Sequence, residues 1–348
     1  MPSRALVTRA LFFRPALCRF VSAMRFAGMR AIASEARGGG CHPDAAAPTR
    51  RPHRTRMYAR IHDTTLFYDI DGAEYDPGNG ELLRKPVLVV LHGGLGFDHA
   101  YLKPGLGPLR DHAQLLYVDL RGQGRSGRPP LETCTLEQMA DDVAALCASL
   151  GLPYVHVFGH SAGGFVAMHL ALRHPALVAG MILCGSSPTV QPITEEEGAE
   201  PAPSLASRAG PGTLAVAGRV FGGDISDESV ADFFREVGPF YAAPDHMHVP
   251  PRLTALSAMD VPMMRHFMTA LAPGYDLRPR LGGIAARVLV IVGREDWVCP
   301  PRAGRALARG IPGARLVVLE DAGHFTFSEA PAAFLDAVAS FLPPAAAA

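Results

Sequence analysis

The chain has 348 residues, 48% of them apolar, enough to bury a sizeable core in one large domain with an insertion or in two domains. No apolar run approaches the roughly eighteen residues that a membrane-spanning helix needs. Basic and acidic residues balance at 33 each but are unevenly spread: residues 1–56 hold eleven arginines against two acids, giving +9 there and −9 elsewhere, and an acidic body argues against nucleic acid as a partner.

Residues 1–56 have the arginine-rich, acid-poor composition of an organelle transit peptide. Arg4, Arg9, Arg14, Arg19, Arg25 and Arg30 do not gather on one helical face, however. Arg14, Pro15 and Arg19 also interrupt every apolar core that a secretory signal would need. The segment is expected to be a disordered or mis-called extension, with Met57 the natural start; a targeting peptide is the alternative. Cys18, Cys41, Cys134, Cys147, Cys184 and Cys299 have no C-x-x-C spacing. Neither a zinc site nor a redox motif is indicated, and a reducing, cytoplasmic compartment is expected.

From Met57 the pattern is α/β. Residues 65–71 read as a strand of an opening hairpin, and Pro86–Leu91 and Gln114–Val118 as short apolar strands buried on both faces. Thr135 and Gln138 have capping-box spacing ahead of a helix lined by Leu136, Met139, Val143, Leu146, Cys147 and Leu150, which Gly151 closes. Val155–Phe158 reads as a strand, 162–173 as a helix and Gly180–Cys184 as the next strand. After Ser187 the rhythm breaks. Residues 188–225 are rich in Pro, Gly, Ala and Glu, and two amphipathic helices follow. One carries Val230, Phe233, Phe234 and Val237 on a face; the other carries Met264, Phe267, Met268 and Leu271. The alternation resumes with a strand at Arg287–Val292, a helix near 301–309, a strand at Arg315–Leu319 and a helix at Pro331–Leu342. There are no internal repeats, and the tail Ala345–Ala348 is expected to be disordered. The pattern predicts a mostly parallel sheet flanked by helices, interrupted at 188–286 by a helical insertion.

Gly159-His160-Ser161-Ala162-Gly163 sits between the strand at 155 and the helix at 162. This G-x-S-x-G pattern, in strand–turn–helix context, puts a serine on a sharp turn where its hydroxyl can act as a nucleophile. Such a serine needs a base, a group to orient the base, and donors for an oxyanion. His324, in the loop after the last strand, is the candidate base. Asp296, after the strand ending at Gly293, is the candidate orienting acid, with Glu295 the fallback. The glycine-rich loop Leu91-His92-Gly93-Gly94-Leu95-Gly96 offers the Gly94 N–H, and the nucleophile turn offers the Ala162 N–H, as oxyanion donors. The order Ser161, Asp296, His324 is the one expected on an α/β sheet.

On these motifs the chain, from about Met57 to Leu342, resembles the α/β-hydrolase family. Asp119-Leu120-Arg121-Gly122-Gln123-Gly124-Arg125-Ser126 also resembles that family's D-x-R-G-x-G-x-S loop, which implies that Asp119 and Arg121 brace the site without reacting. His92-Gly93-Gly94-Leu95-Gly96, followed by Asp98-His99 and Tyr101-Leu102, is similar to the H-G-G-P-G segment of the proline iminopeptidase branch. Three departures stand against that branch: Leu95 for proline, Gly159-His160-Ser161-Ala162-Gly163 for Gly-Gly-Ser-Trp-Gly, and Asp119-Leu120-Arg121-Gly122-Gln123-Gly124 for D-Q-R-G-C-G. His160-Ser161-Ala162 is more typical of esterases.

By the same resemblance, residues 188–286 are a helical cap, or lid, inserted between core segments 57–187 and 287–343. It carries five of the twelve methionines, Met247, Met259, Met263, Met264 and Met268, which suit packing to the body or to apolar ligands. His160, Leu95, Met264, Phe267, Trp297 and Phe325 are candidate pocket residues. An aminopeptidase would bind its substrate ammonium through acids such as Glu195-Glu196-Glu197, Glu228 or Glu236. His246-Met247-His248 has H-x-H spacing without further ligands, so no metal is expected. The expected activity is cofactor-free cleavage of a small ester or amide through an acyl-enzyme, proline-iminopeptidase-like by resemblance. The alternatives are a carboxylesterase or lactonase, a C–C hydrolase or lyase, and a weakly catalytic ligand-binding protein. Neither nucleic acid nor membrane is expected as a partner, and oligomeric state is left open.

Overall fold

A β-hairpin opens the computed structural model, which describes residues 57–77, 82–194 and 202–347; the extension 1–56 lies outside the described residues. Strands β1 (Tyr58–Ile61) and β2 (Thr64–Asp71) pair antiparallel. Two short strands, β3 (Tyr75–Asp76) and β4 (Leu83–Arg84), make a side ribbon. The body of the sheet follows: β5 (Val87–Leu91), β6 (Gln114–Val118), β7 (Val155–His160), β8 (Val178–Cys184), β9 (Arg287–Gly293) and β10 (Arg315–Leu319). The order is β1-β2-β6-β5-β7-β8-β9-β10. It is antiparallel as far as the β2–β6 pair and parallel from β6 through β10.

Continuous apolar runs become strands here because both faces are covered. Side chains alternate across the pleat. Val89 and Leu91 of β5, with Val288 and Val290 of β9, join one core cluster, while Leu88, Val90, Leu289 and Ile291 join another. On the first face lie α2 (Leu136–Ser149), α3 (Ala162–Arg173) and α8 (Pro301–Gly310). On the second lie α1 (Lys103–Leu106) and α10 (Pro331–Ala339), with the short α9 (Thr326–Glu329) before α10.

Between β8 and β9 run α4 (Pro211–Phe221), α5 (Asp227–Glu236), α6 (Val249–Thr254) and α7 (Val261–His266). Leu205, Ala217, Val220, Phe233 and Val237 give this insertion a small core of its own. The helix expected from Met264 to Leu271 is not continuous. α7 stops at His266, a π turn covers Phe267–Leu271, and the expected face divides. Phe267 and Leu271 pack on one side of the sheet, and Met264 and Met268 on the other.

Three further expectations are corrected. Thr135 caps α2 by accepting from the Gln138 N–H at 3.1 Å, but the Gln138 amide donates to Asp142 Oδ1 rather than back to the cap, so the box is half made. The last helix ends at Ala339, three residues early. The alanine tail is not wholly free of structure: β11 (Ala346–Ala347) pairs antiparallel with β4.

Arg121 is the largest fully buried side chain among the described residues. Its Nε and Nη2 donate to the Asp142 carboxylate at 2.6 and 3.0 Å, Nη2 also reaches Asp63 Oδ1 at 2.7 Å, and Nη1 donates to Thr133 Oγ1 at 3.0 Å. It therefore ties the hairpin turn to α2 and to the loop before α2. Replacing it would leave Asp142, which is 1% exposed, as a buried charge without its main partner. Arg121→Ala should lower unfolding free energy by about 3–5 kcal/mol. Urea denaturation checks this, and an unchanged midpoint would contradict the bracing role.

Candidate active site

β7 leaves the core at His160 and the chain reverses at once into α3. Ser161 takes up the reversal with φ 52° and ψ −123°, one of two described non-glycine residues with positive φ. Glycine is required on both sides: a Cβ on Gly159 would strike Gly164, and one on Gly163 would strike the Leu91 and His92 carbonyls. The Ser161 N–H donates to Cys184 O at 2.9 Å and Ser186 Oγ donates to Ser161 O at 2.9 Å, so the end of β8 holds the turn. The Ala162 N–H is the first of α3 and has no preceding helical turn to bond to.

The loop after β5 lies against this turn. A Cβ on Gly93 would come within 2.7 Å of Ser161 Cβ. The Gly93 N–H donates to Tyr101 Oη at 2.7 Å and the Gly96 N–H to Gln123 Oε1 at 2.7 Å. Gly94, between them, has φ +57°.

The third part comes from the loops after β9 and β10. His324 Nδ1 donates to Asp296 Oδ2 at 2.8 Å, and both side chains are buried. Asp296 Oδ1 accepts the Val298 and Cys299 N–H groups at 2.8 and 2.9 Å, which fixes the carboxylate. With Nδ1 donating, Nε2 of His324 carries the lone pair. Gly185, one residue past β8, adjoins this pair: a Cβ there would come 3.2 Å from His324 Nδ1 and 3.3 Å from Asp296 Oδ2. The fallback acid, Glu295, is not the hydrogen-bond partner of His324; its own N–H bonds Ala322 O. Two nearby thiols are unsuited to nucleophilic work. Burial pushes Cys184 up to about 12 and Cys299 well above the usual thiol range.

The candidate pocket residues fare differently. His160 is braced at both ring nitrogens by protein groups. Its Nε2 donates to His324 O at 2.9 Å and its Nδ1 accepts from Tyr101 Oη at 2.8 Å, so protein groups take both nitrogens. The chain of bonds is directional: Gly93 N–H to Tyr101 Oη, Tyr101 O–H to His160 Nδ1, His160 Nε2–H to His324 O. It requires neutral His160. Burial holds the imidazole well below its ordinary value, and His324 and His92 nearby lower it further. Leu95 is fully buried in the core. Met264 backs Gly96, and the Phe267 ring lies tilted against Phe165 at 6.3 Å between ring centroids. Trp297 Nε1 donates to Phe240 O at 2.8 Å, and its ring lies 5.2 Å from that of Tyr241. The Phe325 ring is 5.5 Å from His160. Tyr101 entered the sequence reading only as part of the iminopeptidase-like segment and Tyr241 not at all; Tyr241 places its ring 5.6 Å from that of His324.

Glu228 and Glu236 are exposed, and Glu236 pairs with Arg235 at 3.1 Å; Glu195-Glu196-Glu197 lies outside the described residues. The His246 and His248 rings lie 6.3 Å apart, and among the described residues no cluster of three or more metal-ligating side chains occurs. Nor is any described helix long and apolar enough to cross a membrane.

This fold and constellation define a hydrolase of the α/β class. The chain belongs to the α/β hydrolase fold family, whose sequence profile matches residues 86–331. It is similar to the proline iminopeptidase PfmaB of Pestalotiopsis fici, 27% identical over 278 residues, covering 77% of this chain and 92% of that protein. It is likewise similar to the putative carbamate hydrolase RutD of Agrobacterium fabrum, 28% identical over 272 residues, covering 74% and 93%. Among solved structures, the enol-lactonase from Burkholderia xenovorans LB400 aligns with a TM-score of 0.64 and 28% identity, covering 82% of this chain and 98% of the lactonase.

Burial holds His92, His156, His160 and His169 below the ordinary imidazole value. The unfolded chain therefore binds protons near pH 6.5 that the folded chain refuses, and stability falls as pH drops through that range. The urea midpoint should be lower at about pH 6 than at about pH 7.5. A midpoint that rises on acidification would contradict neutral burial of these rings.

Proposed function

We propose that the chain is a serine hydrolase that cleaves a small, uncharged ester or lactone through an acyl-enzyme. Ser161 is the nucleophile, His324 the general base and acid, and Asp296 the group that orients it. The observation that carries the reading is the His324–Asp296 hydrogen bond of 2.8 Å, held beside Gly185 and tied to the residue before Ser161 by the bond from His160 Nε2 to His324 O.

In acylation the Ser161 Oγ attacks the substrate carbonyl carbon while its proton passes to His324 Nε2. The carbonyl oxygen becomes an oxyanion that the Gly94 and Ala162 N–H groups receive. Collapse of the adduct breaks the bond to the alcohol, which leaves with the proton from His324. Water then attacks the acyl-enzyme, giving its proton to His324, and the acid is released as Ser161 is reprotonated. Asp296 stabilises the imidazolium in both halves. No cofactor is required.

Residues 57–187 and 287–343 form the catalytic body in this reading, and 188–286 its cap. Contacts between the insertion and the site loops support the division: the Asp260 N–H donates to Gly96 O at 2.6 Å and the His324 N–H to Tyr241 O at 2.8 Å. An uncharged substrate is favoured because Glu228 and Glu236, the candidate ammonium-binding glutamates among the described residues, face solvent, whereas Phe97, Tyr241 and Phe325 are aromatic neighbours of the catalytic loops. Prolyl amide hydrolysis is the second reading, supported by the similarity to PfmaB. The four cysteines among the described residues, all buried and free, support a reducing, cytoplasmic setting.

Short-chain nitrophenyl esters and prolyl-naphthylamide, assayed in parallel, separate the two substrate readings. Ester turnover without amide turnover is expected, and efficient cleavage of the prolyl amide would reverse the preference. Ser161→Ala should lower kcat by on the order of 10⁴–10⁶, and Asp296→Asn by about 10⁴. Near-wild-type turnover by Ser161→Ala would refute the mechanism.

A further inference from the structure

Beyond the three residues assigned above, the loop that carries His324 is held by a carboxylate with no part in the proposed chemistry. Glu329 ends the short α9 and is 5% exposed. Its Oε2 accepts the Gly323 N–H and the Ala243 N–H, each at 2.7 Å, and its Oε1 accepts the Phe325 N–H at 2.8 Å. Gly323 and Phe325 are the residues on either side of His324. Ala243 belongs to the insertion.

Three N–H donors converging on two oxygens call for the ionised form, because a protonated acid would set its own O–H against one of them. Burial, with Asp296 as a nearby like charge, holds the Glu329 carboxyl above its ordinary value, against which its three backbone donors and the nearby Arg208 guanidinium pull toward the ionised form. A carboxylate accepting several backbone N–H groups makes charge-assisted bonds, stronger than bonds between neutral groups.

The insertion's side of this contact is itself fixed. Arg208 Nη2 donates to Ala242 O at 2.7 Å, and Trp297 Nε1 donates to Phe240 O at 2.8 Å. Tyr241 O accepts the His324 N–H at 2.8 Å. On the other side, His160 Nε2 donates to His324 O at 2.9 Å. The peptide groups of 323–325 are therefore bonded at the N–H of each residue and at the carbonyls of His324 and Phe325. Gly323 is required for this approach, since a Cβ there would meet the backbone of Tyr241–Ala243.

We propose that Glu329 is a positioning residue for the general base: its carboxylate locks both flanks of His324 and ties them to the 240–243 segment of the insertion. The inference rests on the reading of His324 as the base. A base displaced by about 1 Å loses on the order of 100-fold in rate, so the lock bears on turnover rather than on ground-state binding. Glutamine has the same shape but only one acceptor oxygen, and its NH₂ would oppose at least one of the three donors.

The test compares wild type, Glu329→Gln and Ser161→Ala on a nitrophenyl ester, with one-dimensional proton NMR of the proton shared by His324 and Asp296. Glu329→Gln is expected to lower kcat by roughly 10- to 100-fold, with KM changed less than about threefold, and to shift or broaden that resonance. A folded variant with wild-type kcat and an unchanged resonance would overturn the proposal. So would a variant altered in KM alone. If Glu329→Gln does not fold, hydrogen exchange in the wild type decides. The Ala243, Gly323 and Phe325 amides should then exchange as slowly as those of β7, and exchange typical of open loops would overturn the lock. Activity retained by Ser161→Ala would refute the serine mechanism while leaving the resonance and exchange readouts to judge Glu329 by themselves.

Discussion

β7 is buried along its whole length and α3 begins two residues after its last residue, His160, so the chain has one residue, Ser161, in which to reverse direction. The reversal forces φ to 52° on a side chain that has a Cβ. Strain of this kind costs on the order of 1–3 kcal/mol and persists only where the surroundings over-determine it. Here they do. Gly159, Gly163 and Gly164 bring strand and helix together, Gly93 lies against the serine Cβ, and Cys184 and Ser186 bond its peptide groups. The hydroxyl is thereby set at the carboxyl edge of the sheet, beside the first free N–H of a twelve-residue helix.

The His324 loop has no such built-in turn and is held by bonds from three directions. Asp296 fixes the ring, His160 and Tyr241 fix the peptide, and Glu329 fixes the flanks. Tyr101 joins this arrangement to the glycine-rich loop, because its hydroxyl accepts from Gly93 and donates to His160. A shift in one loop is consequently felt in the other two. The insertion takes part through Tyr241 and Ala243, so the body alone does not complete the surroundings of His324.

What the sequence made legible was short in range. The serine turn, the strand runs and the α2 cap each depend on residues within a few positions, and their physics can be read locally. Asp296 and His324 were legible because each follows a strand whose end is marked by glycine or a turn. The bonds between distant segments were not. His160 meets His324 across 164 positions and Glu329 meets Ala243 across 86, and no periodicity encodes either contact. The bracing role of His160 was therefore not legible in the sequence. The α7 face misled for a related reason: its apolar spacing was helical, but its residues serve two separate cores, and the helix gives way to a π turn between them.

The central claim is that the serine at the strained turn forms a covalent intermediate. Rapid acid quench of the enzyme during turnover of a nitrophenyl ester, followed by peptide mass spectrometry, tests it directly. The account predicts an acyl adduct on the peptide containing Ser161, formed and lost at rates consistent with turnover. Steady turnover with the acyl group on another residue, or with no adduct while water attacks the substrate directly, would contradict it.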